Sequence, residues 1–338
     1  MDADDRRDPN RVLRDARVGQ PLFAHFRTSG KSKEDVKTRM NAMTTCTTGS
    51  ENAQFPLKHE QRSRGIVRRA RGLGNGSITR LVSPSDLGRL IKPFVFLDLF
   101  ESNGSHARPL EFGWHPHSGI ATVTVVLDGA VQYAETTGNA GVLPAGGVEW
   151  MQAGGGVWHT GTFDTAPLRG FQLWVALPPD LENAPTRSQY VMPEQVPGAG
   201  PVRVILGTYD GMTSPVDAPP MTYLVVTLKD GEHWAFVPPP GQDVAWVSVM
   251  DGALRASSRI TRGDVAIFER AETAIELVAE GDTRFVLGSA TQHPYELVLG
   301  HYSVHTSVDA LQRGEAEIRR IGRQLRAEGK QSGALQSI

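Results

Sequence analysis

The chain has 338 residues, with 35 Lys and Arg against 37 Asp and Glu and a formal net charge of −2. That balance argues against a whole-chain role in binding polyanions, although it leaves a local basic patch open. A single cysteine, Cys46, excludes an intramolecular disulfide framework and suits a reducing compartment.

The length suffices for two ordinary domains with a sizeable core. No apolar stretch approaches the roughly 18 residues of a membrane span. The first residues, Met1-Asp-Ala-Asp-Asp-Arg-Arg7, lack the apolar segment of a signal peptide. Cytoplasm is therefore the expected location. With 36 Gly and 22 Pro, the middle of the chain reads as short strands broken by turns, the habit of sandwiches and barrels.

Residues 1–64 mix both charge signs, carry few large apolar side chains and show no sustained period, so a disordered tail is expected there. Met40 and Met43 are alternative starts, which would put residues 1–39 outside the native protein. The basic stretch Arg64-Gly-Ile-Val-Arg-Arg-Ala-Arg71 has no interleaved aromatic residues. It reads as a solvated edge strand before it reads as a nucleic-acid contact. A first barrel is expected over 65–190, with strands near 94–98, 120–127, 130–135, 148–152 and 170–177. A Pro-rich linker at 191–201 leads to a second barrel over 202–300, with strands near 202–206, 221–228, 244–249, 252–256, 264–268 and 273–278. Residues 301–338 change period. Thr306 or Ser307 can cap a helix whose Val308, Leu311, Ile318, Ile321 and Leu325 share one face, with arginines on the rest.

Val125-Val-Leu-Asp-Gly-Ala-Val131 and Ser248-Val-Met-Asp-Gly-Ala-Leu254 read as one hairpin written twice, which implies two similar barrels. The repeat also isolates three histidines. His115-Pro-His117 stands at the head of an apolar run, and side chains at i and i+2 on extended backbone point to the same side. His159 follows the glycine-rich Ala153–Trp158, completing a candidate three-imidazole metal site. The positions matching His115, His117 and His159 in the second repeat are Pro238, Pro240 and Ile275. Joint loss of all three favours a shared role in the first barrel. Imidazole alone suits iron, zinc, copper or nickel.

Residues 65–180 resemble the pirin family of the cupin superfamily. The resemblance is carried by Leu97-Asp98, His115-Pro-His117-x-Gly119, Val123-Thr124, Leu127-x-Gly129, Gly138-Asn139, Val148-x-Trp150-Met151-x-Ala153-Gly154-x-Gly156-Val157-x-His159, and Gln172-Leu-Trp174 with Leu177-Pro178. It implies an all-β bicupin: two tandem, jelly-roll-like β-barrels with a C-terminal helix. It also implies iron(II), held by His115, His117 and His159 together with a glutamate, with another divalent transition metal left open. The glutamate's position is Gly161 here. A second family glutamate falls on Ala121, and a usual histidine on Tyr133.

The activity implied is a dioxygenase opening flavonols such as quercetin, which requires a base for a substrate hydroxyl. Tyr133 and Glu149 are the catalytic candidates, although Glu149 sits where its side chain reads as facing outward. Glu111 and Asp164 are loop candidates. The Tyr133 phenol can orient a ligand but is a poor base at pH 7. Two alternatives stay open: a non-enzymatic, redox-responsive regulator of a transcription factor or metabolic enzyme, and a decayed, metal-free bicupin. The expected partners are a small aromatic diol or flavonol, or a protein, and neither nucleic acid nor membrane.

Overall fold

In the computed structural model, residues 63–103, 111–162 and 167–329 are described, and all of them fall in one unit, His59–Ile338. Of the tail expected over residues 1–64, residues 1–62 lie outside the described residues, as do the alternative starts at Met40 and Met43 and Asp164, whereas Arg64 is buried.

Two β-barrels follow each other. In the first, a seven-stranded sheet runs in the order Arg187–Val191, Val148–Gln152, Ile120–Asp128, Leu168–Ala176, Phe94–Ser102, Ile78–Val82, Leu73–Asn75. Beside it is a four-stranded sheet of Glu111–His117, Val157–Thr162, Ala130–Glu135 and Ala140–Pro144. The second barrel is one sheet whose long strands, Val244–Arg255 and Ile275–Ala290, pair along most of their length.

Alternation along the strands decides where the cores lie. On Ile120–Asp128 the side chains of Ala121, Val123 and Val125 join Trp150, Phe171 and Leu173 in an apolar cluster shared with Tyr223, Trp246 and Val286 of the second barrel. The alternate residue Thr124 points into the first barrel. Trp234, Phe236, Phe285 and Leu287 belong to the apolar core of the second barrel, and Ile275, at the position matching His159, is fully buried. No metal-ligating cluster occurs there among the described residues.

The repeated Asp-Gly-Ala element is not a hairpin. Ile120–Asp128 and Ala130–Glu135 belong to different sheets, so Gly129 is a corner where the chain leaves one layer for the other. In the second barrel the equivalent Gly252 sits inside one continuous strand, Val244–Arg255, joining the segments 244–249 and 252–256 that the sequence separates. Both glycines need positive φ, +83° and +72°, and a Cβ would strike Pro167 O at 2.4 Å or Thr283 Oγ1 at 2.4 Å.

The aspartates beside these corners meet between the barrels. Arg284 Nη2 lies 3.0 Å from Asp128 and 3.1 Å from Asp251, and Arg169 pairs with both as well. Each arginine stands opposite its own barrel's aspartate in the strand register. The four residues form a pseudo-symmetric ring. Arg284→Ala should lower stability by about 1.5–3 kcal/mol, the range for hydrogen bonds to charged groups. Urea unfolding checks this, and an unchanged midpoint would contradict it.

Two expectations are corrected at the chain's ends. Ile66–Arg71 is an edge strand, as its charge suggests, but it pairs with Asp264–Phe268 and so belongs to the second barrel. The N-terminal segment therefore crosses over, and the first barrel does not begin at residue 65. Arg64 is buried, donating to the carbonyls of Asp243 and Glu269. At the other end, the helix Val308–Ala327 is capped by Ser307, whose side chain accepts from Ala310 N. Its buried residues are Ala310, Gly314, Ile318, Gly322 and Leu325, whereas Val308 is 58% exposed. Leu311 is half-buried against Gly300, but Val308 faces solvent, and small residues carry the closest contact: a Cβ on Gly322 would come within 2.7 Å of Trp158.

His293, in the loop after the second barrel, has a buried Nε2 without a partner among the described residues. Burial, helped by Lys92, pushes its imidazole down to about 4. The unfolded chain takes up this proton near pH 6.5, so stability is full above that value and falls as pH drops towards 4. The urea midpoint should be lower at pH 5 than at pH 7.5, and the gap should shrink in His293→Gln. An equal gap would contradict the assignment.

Candidate metal centre in the first barrel

His115 and His117 end the strand Glu111–His117, at the edge of the four-stranded sheet. Pro116 between them is tolerated because an edge strand can lack one backbone donor. The neighbouring strand brings His159 directly opposite His115, and Val157 opposite His117. The three ring centroids are 4.3, 5.0 and 5.0 Å apart, and one ligating atom from each residue lies within 4.8 Å of the others. All three residues singled out by the sequence are therefore together. They do not begin the strand Ile120–Asp128, however. Ser118 and Gly119, the latter at φ +74°, turn the chain between the two.

The second nitrogens identify the tautomers. His115 Nδ1–H donates to Gly113 O at 2.8 Å and His117 Nδ1–H donates to Tyr302 O at 3.1 Å, since a carbonyl can only accept. That leaves Nε2 of each with a free lone pair. His159 Nε2 is buried with no partner among the described residues. Burial holds His115 below the ordinary histidine range, and holds His117 and His159 well below it, with the neighbouring imidazoles adding to the effect. Neutral imidazoles with fixed tautomers and an orphaned buried nitrogen fit a transition-metal ion.

Glu149 also faces the site. The sequence reading placed it outward, but every residue of Val148–Gln152 is buried, because the strand is covered on both sides. Val148 and Trp150 enter the core between the barrels, so Glu149 and Met151 take the opposite face, towards the first barrel's interior. Glu149 Oε1 is 3.9 Å from His159 Nδ1, close but beyond hydrogen-bonding distance. Thr124 Oγ1 donates to Glu149 Oε2, and Tyr190 Oη lies 3.3 Å from both Glu149 and Glu135. Burial pushes the Glu149 carboxyl up to about 7, against the hydrogen bond from Thr124.

Tyr133 lines the same cavity and stacks face to face on Tyr190, at 3.8 Å and 7°. Burial raises both phenols, which keeps Tyr133 in its neutral, protonated form at pH 7, without a phenolate to act as base. Ala121 faces the inter-barrel core, so a carboxylate at that position would not enter this pocket. Gly161 does line it, and a Cβ there would have only Val131 at 3.6 Å and Phe112 at 4.0 Å as neighbours. Gly161→Glu should accordingly tighten divalent-metal binding in a chelator competition. Unchanged affinity would show that position 161 does not face the metal. The side chain of Glu111 lies outside the described ones.

The cavity holds about 510 Å³ and is walled by aromatic residues, including Phe96, Phe112, Trp174 and Tyr302. Phe96 and Trp174 stack at 4.1 Å, and the Trp174 ring is 4.9 Å from that of His117. Gln172 adds a buried amide whose Nε2 has no partner among the described residues. Sequence reasoning missed Tyr190, Tyr302 and the inward turn of Glu149. Tyr190 lies far along the chain from Glu149, which it holds, and Tyr302 far from His117. The third was readable from Trp150, whose apolar bulk needs its own core.

Residues 77–175 match the family model described as Pirin. A Pseudomonas aeruginosa protein provisionally named quercetin 2,3-dioxygenase is 33% identical over 239 residues, covering 64% of this chain and 81% of that protein. A pirin-like protein of Caulobacter vibrioides is 31% identical over 221 residues, covering 62% of this chain and 79% of that one. Among solved structures, a quercetin 2,3-dioxygenase from Acinetobacter baumannii superposes with a TM-score of 0.71 at 24% identity, over 77% of this chain and 98% of that one. A bacterial pirin from Escherichia coli in complex with nickel(II) gives 0.51 at 21% identity, over 68% and 98%. These last two establish the shared two-barrel fold.

Proposed function

Because the chain belongs to the pirin family, we propose that its first barrel is a metal-dependent dioxygenase site for flavonol-type substrates such as quercetin. His115, His117 and His159 would hold the ion through Nε2, with iron(II) as the metal. The observation that carries this reading is the set of three neutral imidazoles, two of them locked by backbone carbonyls and the third with an unpartnered buried nitrogen. When bound, the ion would supply a Lewis acid for adjacent substrate oxygens and a site for dioxygen.

This chain's own residues do the rest. The aromatic walls accept a flat polyphenol and exclude water, and 510 Å³ lies in the range of small-ligand sites. Two carboxylates line the cavity, Asp98 and Glu149; Asp98 is paired with Arg80, and Glu149, beside His159, takes the proton of a substrate hydroxyl at Oε1. Thr124 and Tyr190 hold that carboxylate in place by hydrogen bonds. Its presence answers the absence of a carboxylate at Gly161. The relatives' names support the flavonol class.

Oxygen uptake by the iron-loaded protein with a panel of flavonols tests the reading. Uptake with release of the ring-opened product, abolished in His159→Ala, is expected. Bound metal without uptake for any flavonol would overturn the dioxygenase and leave the regulator.

A further inference from the structure

The hairpin Val298–Gly300 and Ser303–His305 comes after the second barrel in sequence but docks on the first. Ser118 forms a β-bridge with Ser303, directly after the ligand candidate His117. The hairpin's two-residue turn is His301–Tyr302, and Tyr302 has φ +60°. Among the described residues it shares that left-handed backbone, outside glycine, only with Asp210. Aspartate tolerates this conformation, whereas a tyrosine there is strained by its Cβ.

The turn is held in place by a buried lock. Ser118 Oγ donates to Ser303 Oγ at 2.9 Å, His305 Nε2 lies 3.0 Å from Ser118 Oγ, and His305 Nδ1 lies 3.2 Å from Glu182. Glu182 also accepts from Thr306 N and Thr306 Oγ1. Such over-determined surroundings are where backbone strain persists. They do not explain why the strained residue is a tyrosine. Its carbonyl, which accepts from His117, would be supplied equally by glycine.

What glycine would lack is the ring. Tyr302 is 37% exposed, so burial in a core does not account for it, and its phenol has no hydrogen bond among the described residues. The ring lines the cavity, with its centroid 5.8 Å from His115 and 6.0 Å from His117. We infer that the Tyr302 side chain is a ligand-binding, specificity-determining wall of the metal cavity, against which the ring of a flat aromatic ligand packs. The inference rests on the aromatic-substrate reading above.

The test uses the full metal-loaded chain, titrated with quercetin by fluorescence quenching, alongside metal content and thermal unfolding. The variants are Tyr302→Gly, Tyr302→Asn and Tyr302→Phe. Glycine and asparagine accept the left-handed backbone and keep the carbonyl. Both should melt no lower than wild type and keep their metal, yet bind quercetin on the order of tenfold more weakly, the loss of one aromatic contact. Phenylalanine keeps the ring and should restore binding. Unchanged quercetin affinity in the glycine and asparagine variants would overturn the inference. So would loss of metal or a lower melting temperature in both, which would make Tyr302 structural. Failure of the wild type to bind quercetin would instead sink the underlying aromatic-ligand reading.

Discussion

Glu149→Gln should keep its metal and lose turnover. The substitution preserves shape and leaves an oxygen to accept from Thr124, so the buried strand Val148–Gln152 need not repack. It removes the carboxylate that the cavity offers beside His159. General-base catalysis contributes on the order of 10²–10⁴-fold, and kcat for flavonol oxidation should fall within that range. Metal content should not change, because Glu149 stands outside the three-residue group whose ligating atoms lie within 4.8 Å of one another. Single-turnover oxygen uptake with parallel metal analysis separates the two effects. Undiminished kcat would remove Glu149 from the chemistry, and loss of metal would make it a ligand instead.

His117→Ala should give the largest loss of metal. His117 is 2% exposed and sits between the other two imidazoles and Trp174. Removing it leaves two neutral donors. Affinity should therefore fall by more than the roughly 10–100-fold that follows loss of a group merely supporting a ligand. The same change strands the Tyr302 carbonyl and opens a void, at a cost of about 1–3 kcal/mol to the metal-free fold. Chelator competition and urea unfolding of the metal-free protein measure the two separately. Metal affinity within a few-fold of wild type would contradict the three-histidine assignment.

The histidine triad was legible because its geometry is local. The i, i+2 spacing puts His115 and His117 on one side, and one neighbouring strand supplies His159. The two-barrel plan was legible from the repeat. What escaped was whatever depends on a second covering layer. Glu149 read as outward on the assumption of one solvated face, but the other barrel covers that face through Val148 and Trp150. The Asp-Gly-Ala element read as a hairpin because a glycine turn between two apolar runs looks alike whether the strands pair or part at a corner. Tyr302 lies 185 residues from His117, and Ile66–Arg71 pairs about 200 residues away with Asp264–Phe268. No local pattern encodes such contacts. The helix face was read too generously, since Val308 has the right spacing yet points to solvent while Gly314 and Gly322 admit close packing.

Anomalous diffraction at the metal's absorption edge, on crystals of protein grown with iron, tests the central claim most directly. One strong peak should lie among the Nε2 atoms of His115, His117 and His159, and it should vanish in His117→Ala. Fully loaded crystals with no peak there, or with metal bound only elsewhere, would contradict the account.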